Sequence, residues 1–236
     1  MADCCVEYSE NGYNEISQSP LFDEFRYVIF AIKIKENRLF QVIKPPKYQY
    51  QTNLPSGEYS LLPSHKQLTR ASFIVSNLQT LHSLVVIGKS FDLVSVEPTN
   101  ERAFNETCSL ATTDIITLDF LRYSFYTNIS AIKTALTRGI FFEIKVSSLS
   151  SIKNGNLRSQ IFSNIHDFIT LTKARNLILS SGATSLTSFK SLRSLQHFGR
   201  TLGLTPSQSY DAICSNPMRC ITRSRKRNPI NCLVIV

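Results

Sequence analysis

Short apolar runs recur along the chain and are separated by amphipathic stretches of helical length. Apolar runs bounded by polar residues favour buried strands, and their alternation with helices predicts an α/β fold with a parallel sheet. The predicted strands cover residues 27–34, 71–76, 91–96, 114–118, 140–146 and 176–180. Periodicity alone fits either a closed barrel or a doubly wound open sheet.

Two helix boundaries are predicted from local chemistry in the second half. A helix over residues 188–202 is expected to end at Gly203, which adopts the left-handed backbone conformation easily. Thr205-Pro206-Ser207-Gln208 then has the pattern of a capping box, with Thr205 as N-cap. A short helix to about residue 214 should follow.

A longer helix and a loop complete the prediction of elements. The helix ends near Lys173, and an apolar stripe recurs along it every three or four residues: Leu157, Ile161, Ile165 and Phe168. Residues 44–66 are rich in Pro, Gln, Ser and Tyr and have no period, which predicts a long surface loop.

Length and composition favour one domain. A chain of 236 residues with 42% hydrophobic content can bury the core of a single α/β domain, although it is short for a complete eightfold barrel. We expect this domain to cover residues 1–218, with a divergent part at 1–66 and a basic tail at 219–236.

The net charge of +9 hides a strong asymmetry. Residues 1–120 carry ten Lys and Arg against fourteen Asp and Glu, whereas residues 121–236 carry sixteen against three. The halves therefore have net charges of −4 and +13. A cationic half attracts RNA or another polyanion by releasing its counterions, and the alternative is that the charge only keeps the protein soluble.

Cysteine spacing and hydropathy point to an intracellular, soluble protein. The six cysteines form no C-x-x-C pair, so reduced thiols are expected rather than a zinc site or disulfides. No run approaches the roughly twenty apolar residues that span a bilayer, and the N-terminal residues do not resemble a signal peptide. We therefore expect no membrane partner.

The sequence offers little material for catalysis. Its histidines, His65, His82, His166 and His197, stand apart, whereas a catalytic metal needs several ligands close together. No G-x-S-x-G, Walker A or G-x-G-x-x-G motif occurs. We predict no catalytic residue, no metal ligand and no cofactor.

Two carboxylates, Asp92 and Glu143, are expected on core strands. Glu143 shares one face of its strand with Phe141 and Lys145. A buried network of the Glu143–Lys145 kind is the structural interpretation, and a vestigial site is the functional one.

Basic residues form a second group of candidate functional residues, and some of them should lie close together in the fold. Lys190, Arg193 and Arg200 are spaced by three and seven, which favours one helix face, and a dense cluster spans residues 219–227. That cluster is interpreted as an RNA-binding tail, a nuclear-import signal or a solubilising terminus. The candidate RNA-contacting residues are Arg138, Arg158, Lys173, Arg175, Lys190, Arg193, Arg200, Arg219, Arg223, Arg225, Lys226 and Arg227.

Several segments occur in an order that resembles one family, the thirty-kilodalton protein subunit of nuclear ribonuclease P and RNase MRP. The resemblance extends from Leu68-Thr69-Arg70 to about residue 222, and Asp3 sits where a degenerate first strand of that family would lie. One departure is Lys190-Ser191-Leu192-Arg193-Ser194, where the family has an Arg-Gly-Pro-Tyr-Asp type of segment. The matching segments are Phe91-Asp92-Leu93-Val94-Ser95-Val96-Glu97-Pro98, the Arg138-Gly139 turn, Arg158 at the start of a helix, the unit 173–183, Leu202-Gly203-Leu204 and Ser215-Asn216-Pro217.

The resemblance implies an irregular TIM-like barrel of the polymerase-and-histidinol-phosphatase type without that type's metal cluster. It implies a non-catalytic subunit of a nuclear and nucleolar ribonucleoprotein that processes tRNA and rRNA, in which Mg²⁺ serves only the RNA active site. The implied partners are ribonuclease P RNA, RNase MRP RNA, a small ferredoxin-like Pop5 homologue and other ribonuclease P proteins. A stand-alone barrel phosphoesterase and a diverged RNA- or protein-binding module of the same fold are the alternatives.

Overall fold

The computed structural model describes residues 1–34, 66–122 and 124–227. Within them, seven parallel strands follow one another around a sheet in the order of the sequence. The strands are β1 (Ala2–Glu7), β2 (Tyr27–Ile34), β3 (Lys66–Val75), β4 (Leu93–Pro98), β5 (Ile115–Thr117), β6 (Phe141–Lys145) and β7 (Leu177–Ser180).

The two end strands meet and close the sheet into a barrel. Val6 bridges to Ala183, the Glu7 amide donates to the Ala183 carbonyl at 2.7 Å, and the Gly182 amide donates to the Cys5 carbonyl at 2.8 Å. A bulge in β1 separates Asp3 from Val6. There the buried Asp3 carboxylate accepts hydrogen bonds from the amides of Cys5 at 3.2 Å and Ser181 at 3.1 Å. At the bulge, the Asp3 side chain therefore accepts a hydrogen bond from β7's end that a backbone carbonyl would accept in a regular pair of strands.

Asp3 should make the fold less stable at neutral than at mildly acidic pH. Burial raises its pKa from 3.8 to about 6, although backbone amides oppose the shift. Because the folded pKa exceeds the unfolded one, its stabilising contribution is complete below pH 3.8 and is lost as pH rises through about 6. The loss amounts to about 3 kcal/mol. About 1.4 kcal/mol of this loss falls between pH 5 and pH 7.5, because Asp3 of the unfolded chain is already mostly ionised at pH 5. Urea unfolding at these two pH values should reveal that decrease, and Asp3→Asn should abolish it; an unchanged decrease in the variant would assign it to other groups.

Helices pack around the outside of the barrel. Their buried faces meet the outward side chains of the strands, including Val28, Phe142 and Leu179, in the main core. No helix within the described ranges is long and apolar enough to cross a membrane. The helices are α1 (Glu10–Ser17), α2 (Leu78–Ile87), α3 (Glu101–Ser109), α4 (Ile129–Thr137), α5 (Val146–Ser150), α6 (Gly155–Thr172), α7 (Leu192–Thr201), α8 (Pro206–Tyr210) and α9 (Asn216–Arg227), with a π-helical segment (Asp211–Ser215) joining the last two.

The predicted α/β barrel is confirmed, and so are several local predictions. Each predicted strand overlaps an observed one, and β1 occupies the place of the degenerate first strand. Thr205 and Gln208 form the reciprocal capping box, and Gly203 has φ of +93°. The predicted loop at 44–66 lies outside the described residues, except that Lys66 begins β3.

The start of α7 differs from the prediction. The helix begins at Leu192 rather than near residue 188, because Ser191 is extended and its hydroxyl accepts the Ser194 amide at 3.1 Å. Lys190 therefore precedes the helix, and the expectation that it shares a helix face with Arg193 and Arg200 is wrong.

The predicted tail is helical in the structure. Residues 219–227 belong to α9, whose inward side chains Pro217, Cys220, Ile221 and Ser224 are buried. Pro217 lies in the first turn of α9, directly after the π-helical segment Asp211–Ser215, and the helix continues through it. The folded domain thus extends at least to Arg227, and the boundary predicted at residue 219 falls inside a packed helix.

Candidate functional site

The carboxyl ends of the strands surround a cavity of about 330 Å³. This is the end where enzymes with related barrels place their catalytic groups. Charged side chains at the mouth pair with one another: Lys33 binds Glu7 at 2.7 Å, and Lys145 lies 3.8 Å from Glu97. The mouth therefore carries pairs of opposite charge rather than a set of carboxylates directed at one point.

Metal-ligating side chains do not converge in the described part of the chain. No group of three or more His, Cys, Asp or Glu there could hold a metal ion. His166 lies on α6 and His197 on α7, and both are exposed on the outside of the barrel. His65 lies outside the described residues.

A buried ion pair crosses the barrel interior. The guanidinium of Arg70 on β3 makes two 2.6 Å hydrogen bonds to the carboxylate of Glu143 on β6, and both side chains are fully buried. Arg70 also donates to the Ser95 hydroxyl and to the Cys4 carbonyl, and Thr117 donates to Glu143. One charged network thus joins strands that are not neighbours in the sheet.

The pair is fully ionised in the folded chain. Burial raises the pKa of Glu143, but the charge and hydrogen bonds of Arg70 outweigh that effect and hold the pKa at about 2. Glu143 does share a face with Lys145, as predicted, but its direct partner is Arg70, while Lys145 faces Glu97. The alternation of Leu68, Arg70 and Ser72 on a strand was the available signal for an inward arginine.

Helix α9 covers the opposite end of the barrel, where the strands begin. Cys220 and Ile221 pack against the lowest inward layer of the strands. Buried Asp114, just before β5, accepts hydrogen bonds from Arg223 at 2.7 Å and from Arg227 at 2.7 Å, as well as from the Val94 amide. Arg223 and Arg227 are four residues apart and so share a helix face. We call Asp114, Arg223 and Arg227 the α9 clamp.

The predicted RNA-contacting residues lie in several places. Arg158, near the start of α6, is over the Phe162 ring, and Arg193 is in the first turn of α7. Arg200 lies in the last turn of α7. Most of the others gather where the strands begin. Within the part of the chain that the structure describes, the two arginines of the α9 clamp are the only ones of these candidates that pair with a carboxylate. The residues at that end are Arg138, Lys173, Arg175, Arg219, Arg223, Arg225, Lys226 and Arg227.

Comparison with known proteins gives consistent results. The family model described as RNase P subunit p30 matches residues 2–229. The Arabidopsis thaliana protein GAMETOPHYTE DEFECTIVE 1 is 33% identical over 69% of this chain and 28% of its own length. Ribonuclease P protein subunit drpp30 of Dictyostelium discoideum is 29% identical over 68% of this chain and 45% of its own length. The chain thus matches less than half the length of either relative.

A solved structure has the same fold. A chain in the cryo-EM structure of archaeal ribonuclease P with mature tRNA superimposes with a TM-score of 0.68. The alignment covers 96% of this chain and 92% of that one, at 14% sequence identity. The two chains therefore share one fold along almost their whole length.

Proposed function

The chain belongs to the RNase P subunit p30 family, and we propose that it is a non-catalytic protein subunit of the ribonuclease P ribonucleoprotein. In this proposal the RNA of the particle removes 5′ leaders from precursor tRNA with its own Mg²⁺, and this chain supports that RNA. The observation that carries the proposal is the match of the family across residues 2–229.

The barrel interior supports a scaffolding role. At the end of the barrel that a hydrolase would use for catalysis, the charged side chains pair with one another: Arg70 with Glu143 in the interior, and Lys33 with Glu7 and Lys145 with Glu97 at the cavity. The Arg70 guanidinium donates twice to Glu143 and also to Ser95, Thr117 and the Cys4 carbonyl, so all five of its N–H donors are used within the fold. These residues serve the fold, and the chemistry belongs to another component.

The proposed partners follow from the same family. They are ribonuclease P RNA, the RNA of RNase MRP, a small ferredoxin-like Pop5 homologue and further ribonuclease P proteins. We place the chain in the nucleus, including the nucleolus, as expected for a subunit shared by particles that process tRNA and rRNA.

Purification of the tagged chain from its native cells tests the proposal. Sequencing of the bound RNA should recover ribonuclease P RNA, enriched over a mock purification from untagged cells, and the preparation should cleave precursor tRNA. Nuclease treatment should abolish that cleavage, because the RNA performs it. Recovery of no RNA, or phosphoester hydrolysis by RNA-free chain, would favour a diverged binding module or a stand-alone phosphoesterase.

A further inference from the structure

Exposed cations precede three of the strands at the same end of the barrel. Arg26 comes just before β2, Arg175 lies just before β7, and Arg138 precedes β6. Lys173 ends α6 two residues before Arg175. Because all the strands are parallel and neighbours in a closed sheet, the residues that precede them gather at one rim. The four cations therefore face the same side of the molecule.

Helix α9 adds three more exposed cations to this rim. Arg219 lies over the Phe141 ring at 5.9 Å, and Arg225 lies over the Tyr27 ring at 5.7 Å. Arg26 contacts the same Tyr27 ring at 5.8 Å, so two guanidinium groups sit against one aromatic side chain. Lys226 follows on the exposed face of α9. Arg26, Arg138, Lys173, Arg175, Arg219, Arg225 and Lys226 are called the basic end face below.

Carboxylates do little to neutralise this surface. Within the described ranges, none of its seven cations forms an ion pair. Asp114 is buried and already binds Arg223 and Arg227, so the α9 clamp itself keeps one net positive charge. Asp92 is half-buried and accepts from Thr69. Like charges held together without a counter-charge indicate that an anion binds from outside.

The chemistry of the basic end face suits a phosphate backbone better than a protein. Protein interfaces place apolar or aromatic groups at their centre, but α9 carries no exposed large apolar side chain. Five of the seven cations are arginines, whose planar guanidinium matches phosphate oxygens in pairs. A helix of 12 residues is about 18 Å long, enough to follow several phosphates.

We propose that the basic end face is the surface through which this chain holds an RNA phosphate backbone, on the premise of the ribonucleoprotein function proposed above. Arg223 and Arg227 act as positioning residues that fix α9 through Asp114, and they do not contact RNA. Arg26 lies outside the basic half of the sequence but belongs to the basic end face. The cations around α7, Lys190, Arg193 and Arg200, lie outside it.

Two variants of equal charge test the proposal. The first is Arg138→Gln, Arg175→Gln and Lys226→Gln on the basic end face, and the second is Lys190→Gln, Arg193→Gln and Arg200→Gln around α7. Each removes two arginines and one lysine, so a difference between them reports position rather than net charge. Binding of each purified chain to a folded precursor-tRNA transcript is measured across a salt series.

We expect the end-face variant to lose at least about tenfold in affinity and to flatten the plot of log affinity against log salt by about two to three units, one for each lost phosphate contact. The α7 variant should change that slope by less than about one unit. Both should keep the urea midpoint of the unmodified chain. If the triple end-face variant unfolds, Arg26→Gln with Arg225→Gln should produce a loss of about two units instead.

Three outcomes overturn the proposal: equal losses in both triple variants, a larger loss in the α7 variant, or no binding by the unmodified chain. A fourth such outcome can come from the tagged end-face variant purified from cells. If that variant keeps its RNA but loses a protein, the basic end face is a protein interface. The transcript is a generic RNA ligand. Failure of this binding test would overturn the proposed surface only, because the proposed function is tested separately by the recovery of ribonuclease P RNA with the unmodified chain.

Discussion

Replacing Arg70 with methionine should lower the free energy of unfolding by about 3 to 5 kcal/mol, because it leaves a buried carboxylate without its partner. Glu143 is fully buried and receives two 2.6 Å hydrogen bonds from Arg70. The folded pKa of Glu143, about 2, lies below the ordinary glutamate value of 4.5. The pair therefore stabilises the fold above pH 4.5 and loses its effect as pH falls through about 2. Urea unfolding at pH 7 measures its full contribution.

The double variant Arg70→Met and Glu143→Leu separates the cost of an unpaired charge from the value of the pair. Apolar replacement of both partners often restores stability, so the double variant should be more stable than Arg70→Met alone. Ser95 and Thr117, which bond to the pair, lose partners and limit that recovery. Arg122→Met is the control, since the Arg122 side chain is 72% exposed. A stability of Arg70→Met within about 1 kcal/mol of that of the control would show that the pair contributes little.

Sequence patterns predicted the fold because the strands are short apolar runs separated by helical stretches. The residues of β2 were predicted with the bounds that the structure shows, 27–34. Closure of the barrel was not accessible to periodicity, because it depends on the Val6–Ala183 bridge and on Asp3, contacts between the two ends of the sheet. The closed form was expected only through the resemblance to a family.

Sequence patterns also could not identify which charged side chains pair inside the barrel. Glu143 was identified as a core carboxylate, but the choice between Arg70 and Lys145 depends on which strands face each other across the barrel. The dense cations at 219–227 looked like a tail because charge runs are usually solvated. Arg223 and Arg227 nevertheless fall one helical turn apart in the sequence, which is the spacing expected of two residues that share one carboxylate.

Removing the central carboxylate of the α9 clamp should release that helix from the barrel. In Asp114→Leu, Arg223 and Arg227 lose their shared partner at the buried rim. Their side chains are 21% and 15% exposed and lie near water, so we expect them to turn outward and carry α9 with them. The expected decrease in the free energy of unfolding is about 3 kcal/mol, at the low end for a broken buried pair.

Limited trypsin digestion makes this release visible, because α9 contains its own cleavage sites at Arg219 and Arg223. Cleavage after these residues requires α9 to open, and its rate follows the population of the open form. Each 1.4 kcal/mol of destabilisation should therefore speed cleavage about tenfold, so Asp114→Leu should be cut about a hundredfold faster than the unmodified chain. Asp211→Leu, at an exposed carboxylate of the preceding π-helical segment, is the control. Equal cleavage rates in the two variants would mean that the apolar contacts of Cys220 and Ile221 hold α9 without the clamp.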